Sequence, residues 1–339
     1  MVPSTRRHLL SALIAALLLG VVFICRARTG WADAYALHFY PFWSGAASWL
    51  SARLPVSLEE WIVVGAFVLL VVDLFFIRKR WAALVGLLLW ITVWFYAGWG
   101  LNYFRSSIYE RAGKQPEVFE AQRFRSFLDE FTQELNDSWQ PFGELDKAAF
   151  EQEVKQFYTD LPAAWGLAKP KPWQKPKRLL FNRLYSAVGV SGYVGPFVSE
   201  IQINEEIPPR QYPVVYAHEL SHLLGVSSEA EANYWAWCAC RASADPQIRY
   251  AALQSMLPYV MRNARSALSE EDYKAWQQTV RPEVREILLQ EQEYWQERFS
   301  PLLGRIQGWA YNLFLKGNRI SSGMANYNEV VQMILTLEK

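Results

Sequence analysis

The 339-residue sequence is 52% hydrophobic and 15% aromatic, with a formal net charge of +1. That is enough apolar material for membrane spans plus one sizeable soluble domain. The near-zero charge, with lysines and arginines scattered rather than striped, gives no electrostatic case for nucleic acid as a partner. Three cysteines exclude a disulfide framework.

Leu9 to Cys25 is an apolar run at the lower limit of a membrane span and follows Arg6-Arg7. The same pattern fits the hydrophobic part of a signal peptide, with Ala32-x-Ala34 as a cleavage-like site. Ile62 to Ile77 and Ala82 to Tyr103 are better spans, separated by Arg78-Lys79-Arg80. That basic triplet predicts a tight hairpin, which the positive-inside rule assigns to the cytoplasm. Residues 1–104 then form a multi-pass membrane region with three transmembrane helices, near 9–25, 62–77 and 82–103. Everything after Tyr103 lies outside the cytoplasm. Tryptophans 31, 43, 49, 61, 81 and 99 fall near the span ends, as interfacial aromatic belts do. Ser57-Leu58-Glu59-Glu60 reads as a capping box opening the second span.

From residue 105 to residue 339 charges return, and a separate domain is expected. Apolar residues at helical spacing predict core-facing helices over 118–139 and 147–158. Lys169 to Lys177 is interrupted by prolines and predicts an exposed loop. Between Leu179 and Asn204, β-branched and aromatic residues alternate with Ser and Gly, which predicts strands punctuated at Gly189, Gly192 and Gly195-Pro196. The last of them, Val198 to Asn204, alternates apolar with polar residues.

His218-Glu219-Leu220-Ser221-His222 follows, with two of the chain's four histidines. Positions i and i+4 of a helix lie one above the other, so both imidazoles can face one metal ion. Pro213 suits the first turn of such a helix, Gly225 its end, and Val214, Val215, Leu220, Leu223 and Leu224 its burial. The spacing is the HExxH pattern of zinc peptidases, in which the glutamate, here Glu219, is the general base. A third ligand is needed. Metzincins use a histidine six residues after the second motif histidine, where this chain has Ser228. Gluzincins use a glutamate on the following helix, and Glu229 and Glu231 both qualify. Glu229, Ala232, Asn233 and Ala236 give E-x-x-A-N-x-x-A, which resembles the E-x-x-A-D-x-x-A helix of CAAX prenyl endopeptidases, with Asn233 in place of the aspartate and a shorter gap after the first motif. Glu231 also completes a capping box with Ser228.

From Pro246 to Lys339 the pattern is helical, with breaks at Ser269, Pro282, Pro301 and Gly317 to Gly323. The tail from Tyr311 to Tyr327 is placed to return to the cleft. The fold class expected is α+β and mainly helical: three transmembrane helices, then a zincin-like domain with a small sheet and a helical C-terminal part.

Tyr40-Pro41 to Ser44, Leu54-Pro55-Val56-Ser57, Gly100-Leu101-Asn102-Tyr103-x-Arg105, the HExxH run and Tyr311 to Tyr327 together resemble a bacterial family of uncharacterised membrane proteins. The resemblance covers nearly the whole chain and implies a zinc metallopeptidase of the bacterial cell membrane with the lipid bilayer as a partner; the peptide or protein substrate is expected from the HExxH chemistry, not from the resemblance. In zincins the strand before the HExxH helix pairs with extended substrate, which would give Val198, Ser199, Glu200 and Ile201 that role. Tyr327, Tyr311 and Tyr234 are candidates to stabilise the oxyanion, and Asn233 to orient a histidine. The alternative is a catalytically silent zinc-binding sensor or scaffold.

Overall fold

The computed structural model describes residues 3–76, 81–117, 120–323 and 329–338. It is mainly helical, with a small three-stranded sheet. The N-terminal part consists of α1 (Pro3–Ala27), α2 (Thr29–Ala34), α3 (Tyr40–Ser51), α4 (Leu58–Phe76) and α5 (Trp81–Gly98). Among the described residues one stretch, Leu9–Ala27, is long and apolar enough to cross a membrane, rather than the three expected. Helix α5 offers the shorter apolar stretch Leu84–Gly98, and α4 opens on Glu59 and Glu60. Arg78-Lys79-Arg80 lie outside the described residues.

The expected span 82–103 stops early for a physical reason. After α5 the chain tightens into a 3-10 helix, Gly100–Phe104, whose residues are all buried. Trp99, Leu101, Tyr103 and Phe104 join Cys25, Tyr35, Tyr40 and Leu315 in one apolar cluster. The end of the apolar run is protein core, and hydropathy alone does not distinguish core from lipid. The boundary expected at residue 104 falls inside this packed region. Helices α1 and α5 lie side by side, with the Trp90 indole donating to Ser11 Oγ at 2.9 Å.

The remaining helices are α6 (Ile108–Ala112), α7 (Ala121–Asp137), α8 (Lys147–Asp160), α9 (Asn182–Ala187), α10 (Tyr212–Leu223), α11 (Glu229–Arg241), α12 (Pro246–Ala267), α13 (Glu270–Thr279), α14 (Pro282–Arg298), α15 (Pro301–Gly317) and α16 (Val330–Leu337). Phe124, Leu128, Phe131 and Leu135 recur at helical spacing on α7 and meet Phe150 and Val154 of α8, Tyr216 and Leu220 of α10, and Met333 and Ile334 of α16 in one core. The segment expected as strands from Leu179 opens with helix α9, and two strands follow it.

The sheet has β1 (Pro176–Lys177), β2 (Gly192–Gly195) and β3 (Glu200–Ile203) in the order β1-β3-β2. Strand β3 is central, parallel to β1 and antiparallel to β2, with Val194 opposite Ile201. All four of its residues are buried. The strand expected to present an edge to substrate therefore has both edges occupied. The two edge strands are β1 and β2, and of these β2 lines the cavity described below.

Glu200 has a different task. Its carboxylate accepts from Ser57 Oγ (3.2 Å), from the backbone N–H groups of Leu58 (3.2 Å) and Glu59 (3.1 Å), and from Gln202 Nε2 (3.1 Å). It thus caps the N-terminus of α4, where free N–H groups and the helix dipole favour a negative charge. The joint is reciprocal. Glu59 accepts from the N–H groups of Phe197 and Val198, and Glu60 from those of Leu180 and Phe181. Ser57 still caps the backbone of Glu60 at 3.1 Å, so only half of the expected capping box forms. Three carboxylates bolt the start of α4 to the sheet. Glu200→Ala would strand four donors in a buried place, at about 1–3 kcal/mol for each strongly desolvated group. The expected result is a loss of several degrees in the unfolding temperature of the detergent-solubilised protein; an unchanged melting curve would contradict this joint.

Candidate metal centre and cleft

Helix α10 carries both motif histidines, with Pro213 in its first turn as expected. It ends at Gly225, whose φ of +100° only glycine adopts without strain. Val226 N–H returns to Ser221 C=O at 3.1 Å, and Ser228 opens α11 by accepting from Glu231 N–H. The carbonyls of Leu223 and Gly225 need side-chain donors, and His222 C=O, which already accepts from Gly225 N–H at 3.0 Å, takes a second. Residues from the N-terminal part supply them: Trp99 Nε1 donates to His222 C=O (3.0 Å), Tyr40 Oη to Leu223 C=O (2.7 Å) and Arg105 to Gly225 C=O (3.2 Å). Ser227 Oγ in turn donates to Asn102 C=O at 3.0 Å. The sequence patterns around Tyr40 and around Asn102 and Arg105 thus converge on one turn.

The turn brings three donor atoms together. His218 Nε2 and His222 Nε2 are 3.0 Å apart, and Glu229 Oε2 lies 3.2 Å from the first and 3.3 Å from the second. His222 Nδ1 is 2.7 Å from Val226 C=O, an acceptor only, so Nδ1 carries the hydrogen and Nε2 presents a lone pair. His218 Nδ1 sits 2.9 Å from Asn233 Oδ1, which fixes the same tautomer. Among the described residues no separate donor lies between the two nitrogens and the carboxylate oxygen, so a cation, either a metal ion or a proton on an imidazole, would hold the three together. Bonds of about 2.0–2.1 Å to a tetrahedral zinc place its donor atoms roughly 3.3 Å apart, close to the edges of this triangle. The three side chains fit a metal ion.

Burial opposes charge on both His222 and Glu229, and their mutual attraction outweighs it. The imidazole is pushed up to about 9, and the carboxyl is held well below the usual carboxylate range. In the absence of metal, a proton supplies the positive charge.

Glu231 is directed elsewhere. It pairs with Arg111 and accepts from Trp235 Nε1 at 3.1 Å, so its role is structural and Glu229 faces the histidines. Tyr311 Oη donates to the other oxygen of Glu229. Tyr234 is buried in the main core, away from an oxyanion role, and Tyr327 lies outside the described residues. Val198, Ser199, Glu200 and Ile201 belong to the α4–sheet joint and the central strand, not to the cleft.

Glu219 is 4% exposed, and its Oε2 has no hydrogen-bond partner among the described residues. Burial pushes its carboxyl up to about 7, against the lowering influence of His218 and His222. A Cβ added at Gly192 would come within 3.0 Å of Glu219 Oε1, so β2 passes directly over this carboxyl. The cavity in front has a volume of about 920 Å³ and is lined by β2, by the motif side chains and by Phe95 and Trp99 of the N-terminal part. Helix α12 contributes a stripe at helical spacing: Ala251, Gln254, Ser255, Pro258, Tyr259 and Arg262. Gln254 is 3% exposed, and neither of its amide atoms has a partner among the described residues. Sequence reasoning missed Gly192 as a close approach and Gln254 altogether. The available signal was a polar amide among Leu253, Met256 and Leu257 on a buried helix face.

The chain belongs to a protein family of unknown function, DUF3810, whose model matches residues 35–335 and so includes every residue of this site. No match is found among curated proteins or among solved structures.

Two expectations follow for metal binding. Elemental analysis of the purified protein should find one metal ion per chain, lost in Glu229→Gln and retained in Glu231→Gln; the reverse would transfer the ligand role. Asn233→Ala should weaken metal affinity by roughly 10–100-fold, since it releases His218 from its orientation.

Proposed function

We propose that the protein is a membrane-anchored zinc-dependent peptidase. The observation that supports this best is the triangle of His218, His222 and Glu229 atoms at metal-ligand spacing, set beside a Glu219 oxygen that has no partner among the described residues. Zinc held by His218, His222 and Glu229 would act as a Lewis acid toward a carbonyl oxygen and acidify a water molecule. Glu219 takes the proton from the attacking water and delivers it to the leaving amine nitrogen. Its raised pKa suits both halves of that task. The free edge of β2 offers backbone hydrogen bonds to an extended peptide, and the unpaired Gln254 amide can both donate to and accept from a peptide group. Asn233 and Val226 C=O hold the imidazoles in the required tautomer.

In this reading α1 is an anchor. Helices α4 and α5 add crossings of their own: Trp61, Val63, Phe67 and Leu69 on α4 and Val85 and Leu88 on α5 are exposed large apolar side chains, which water does not favour. By the positive-inside rule the basic triplet 78–80 favours the cytoplasmic side, which would put the cleft outside it. A reporter active only in the cytoplasm, fused after Lys339, should be silent; a strong signal would invert this topology.

The reading is tested by comparing wild type with Glu219→Gln. Turnover should fall by about 100-fold or more with metal retained. In cells, quantitative profiling should show protein N-termini that vanish in the variant. Identical profiles from a folded, metal-loaded pair would favour a sensor or scaffold. The base must be ionised to act, and a bound cation can only lower its pKa. For wild type, kcat/KM should therefore fall about tenfold per pH unit on the acid side of an apparent pKa no higher than about 7. A rate that rises on acidification would remove Glu219 as the base.

A further inference from the structure

Helix α15 has two apolar faces, and the core uses one of them. At about 100° per residue, Leu302, Ile306, Trp309 and Leu313 fall within roughly 60° of arc. All four are 52–68% exposed. The opposite face belongs to the cleft: Gln307, Tyr311 and Phe314 line the cavity, and Tyr311 holds Glu229. One edge of the exposed arc is basic, with Arg305 and Lys316 about 20–40° beyond its limit. An amphipathic helix of a soluble surface would turn charge outward here.

The helix is also fixed against the anchor. At its C-terminal end Arg26 of α1 donates to Gly317 C=O (2.8 Å), and Tyr96 of α5 to Asn318 Oδ1 (2.9 Å). The Phe314 ring packs edge-on against Phe95 and Tyr103, each at 5.6 Å between centroids. At the other end Ser300 N–H donates to Ala187 C=O at 2.8 Å, joining α15 to α9, where Leu180, Phe181 and Leu184 are also exposed.

We propose that the outer face of α15 docks on the bilayer surface, continuous with the apolar faces of α1 and α5, and that the cleft behind it takes a membrane-borne polypeptide. Three features select lipid over a second protein copy: attachment to the ends of the apolar helices, an uncharged apolar arc, and a basic edge suited to anionic headgroups. Long Arg and Lys stems can lie along the acyl boundary while their charges reach the headgroups. Since the same helix walls the cleft, a chain emerging from the bilayer meets β2 and the metal centre first. The second half of this inference rests on the peptidase reading above; the first does not.

The test uses the full-length protein in phosphatidylcholine–phosphatidylglycerol vesicles, spin-labelled at Trp309→Cys or Leu313→Cys. Unsubstituted protein, with Cys25 and Cys240 buried and Cys238 half-buried, gives the background to subtract. Lys274→Cys on α13, where the side chain is 68% exposed, is the aqueous reference. Labels at 309 and 313 should be several-fold more accessible to oxygen than to a nickel chelate, and the label at 274 should show the reverse. Water-like values at 309 and 313 would overturn the docking. So would exclusion of both reagents together with dipolar broadening, the signature of a second copy. None of these readings requires metal or turnover, so failure here leaves the peptidase reading intact. For the substrate, the cut sites that vanish in Glu219→Gln should adjoin membrane-spanning segments; cuts confined to soluble proteins would overturn the membrane-borne class.

Discussion

The site depends on one turn. His222 and Glu229 are separated by only seven residues, and in that distance the chain must end one helix, reverse and begin another. Gly225 provides the left-handed backbone, and the reversal leaves helix-end carbonyls in need of partners: among the described residues Leu223 and Gly225 C=O have no backbone donor and His222 C=O has only Gly225 N–H. Trp99, Tyr40 and Arg105 supply those partners from the N-terminal part of the chain. Each such hydrogen bond contributes about 1 kcal/mol net, and an unmet carbonyl costs more. The position of Glu229 relative to the histidines is therefore set by residues that a reading of 1–104 as a membrane anchor treats as packaging.

Buried carboxylates show how the chain separates support from chemistry. Glu59, Glu60 and Glu200 each receive two or more hydrogen bonds, mostly from backbone N–H groups, and tie α4 to the sheet. Glu231 is neutralised by Arg111, and Glu229 is held by two imidazoles and a tyrosine hydroxyl. Glu219 differs from all five in having a buried oxygen with no partner. Leaving a carboxyl oxygen unpaired costs folding free energy. An oxygen left free in this way is what the general base proposed above would need, and the nearby histidines offset part of the cost.

What the sequence disclosed follows the range of the interactions involved. The juxtaposition of the two histidines, the place of Glu219 beside them and the Asn233 contact depend on helical spacing within adjacent helices, so they were legible. The choice between Glu229 and Glu231 was not, because Arg111, 120 residues away in sequence, decides it. The breaks between α12, α13, α14 and α15 were marked by Ser269, Pro282 and Pro301, whose effect on the backbone is local. The strands β2 and β3 fall inside the segment expected to hold them, but the central place of β3 was not legible, for the opposite reason. Strand β1 is two residues long and begins with a proline, so nothing in its sequence signals that it covers an edge of β3. The apolar run through Tyr103 was read as lipid-facing because transfer scales do not separate a bilayer from a protein core.

The N-terminal helices and the site consequently pack as one unit. Helix α5 delivers Phe95, and the residues just beyond it deliver Trp99 and Tyr103 to the cavity, while α15 reaches back from the C-terminal region to pack on the same ends. The apolar cluster of Cys25, Tyr35, Tyr40, Trp99 and Leu315 is the shared core of that arrangement. A domain begun at residue 105 would lose the donors for the α10 carbonyls and the surface against which α15 rests. The wall of the cleft and the third metal-facing side chain would then lose their supports together, because Tyr311 on that wall is bonded to Glu229.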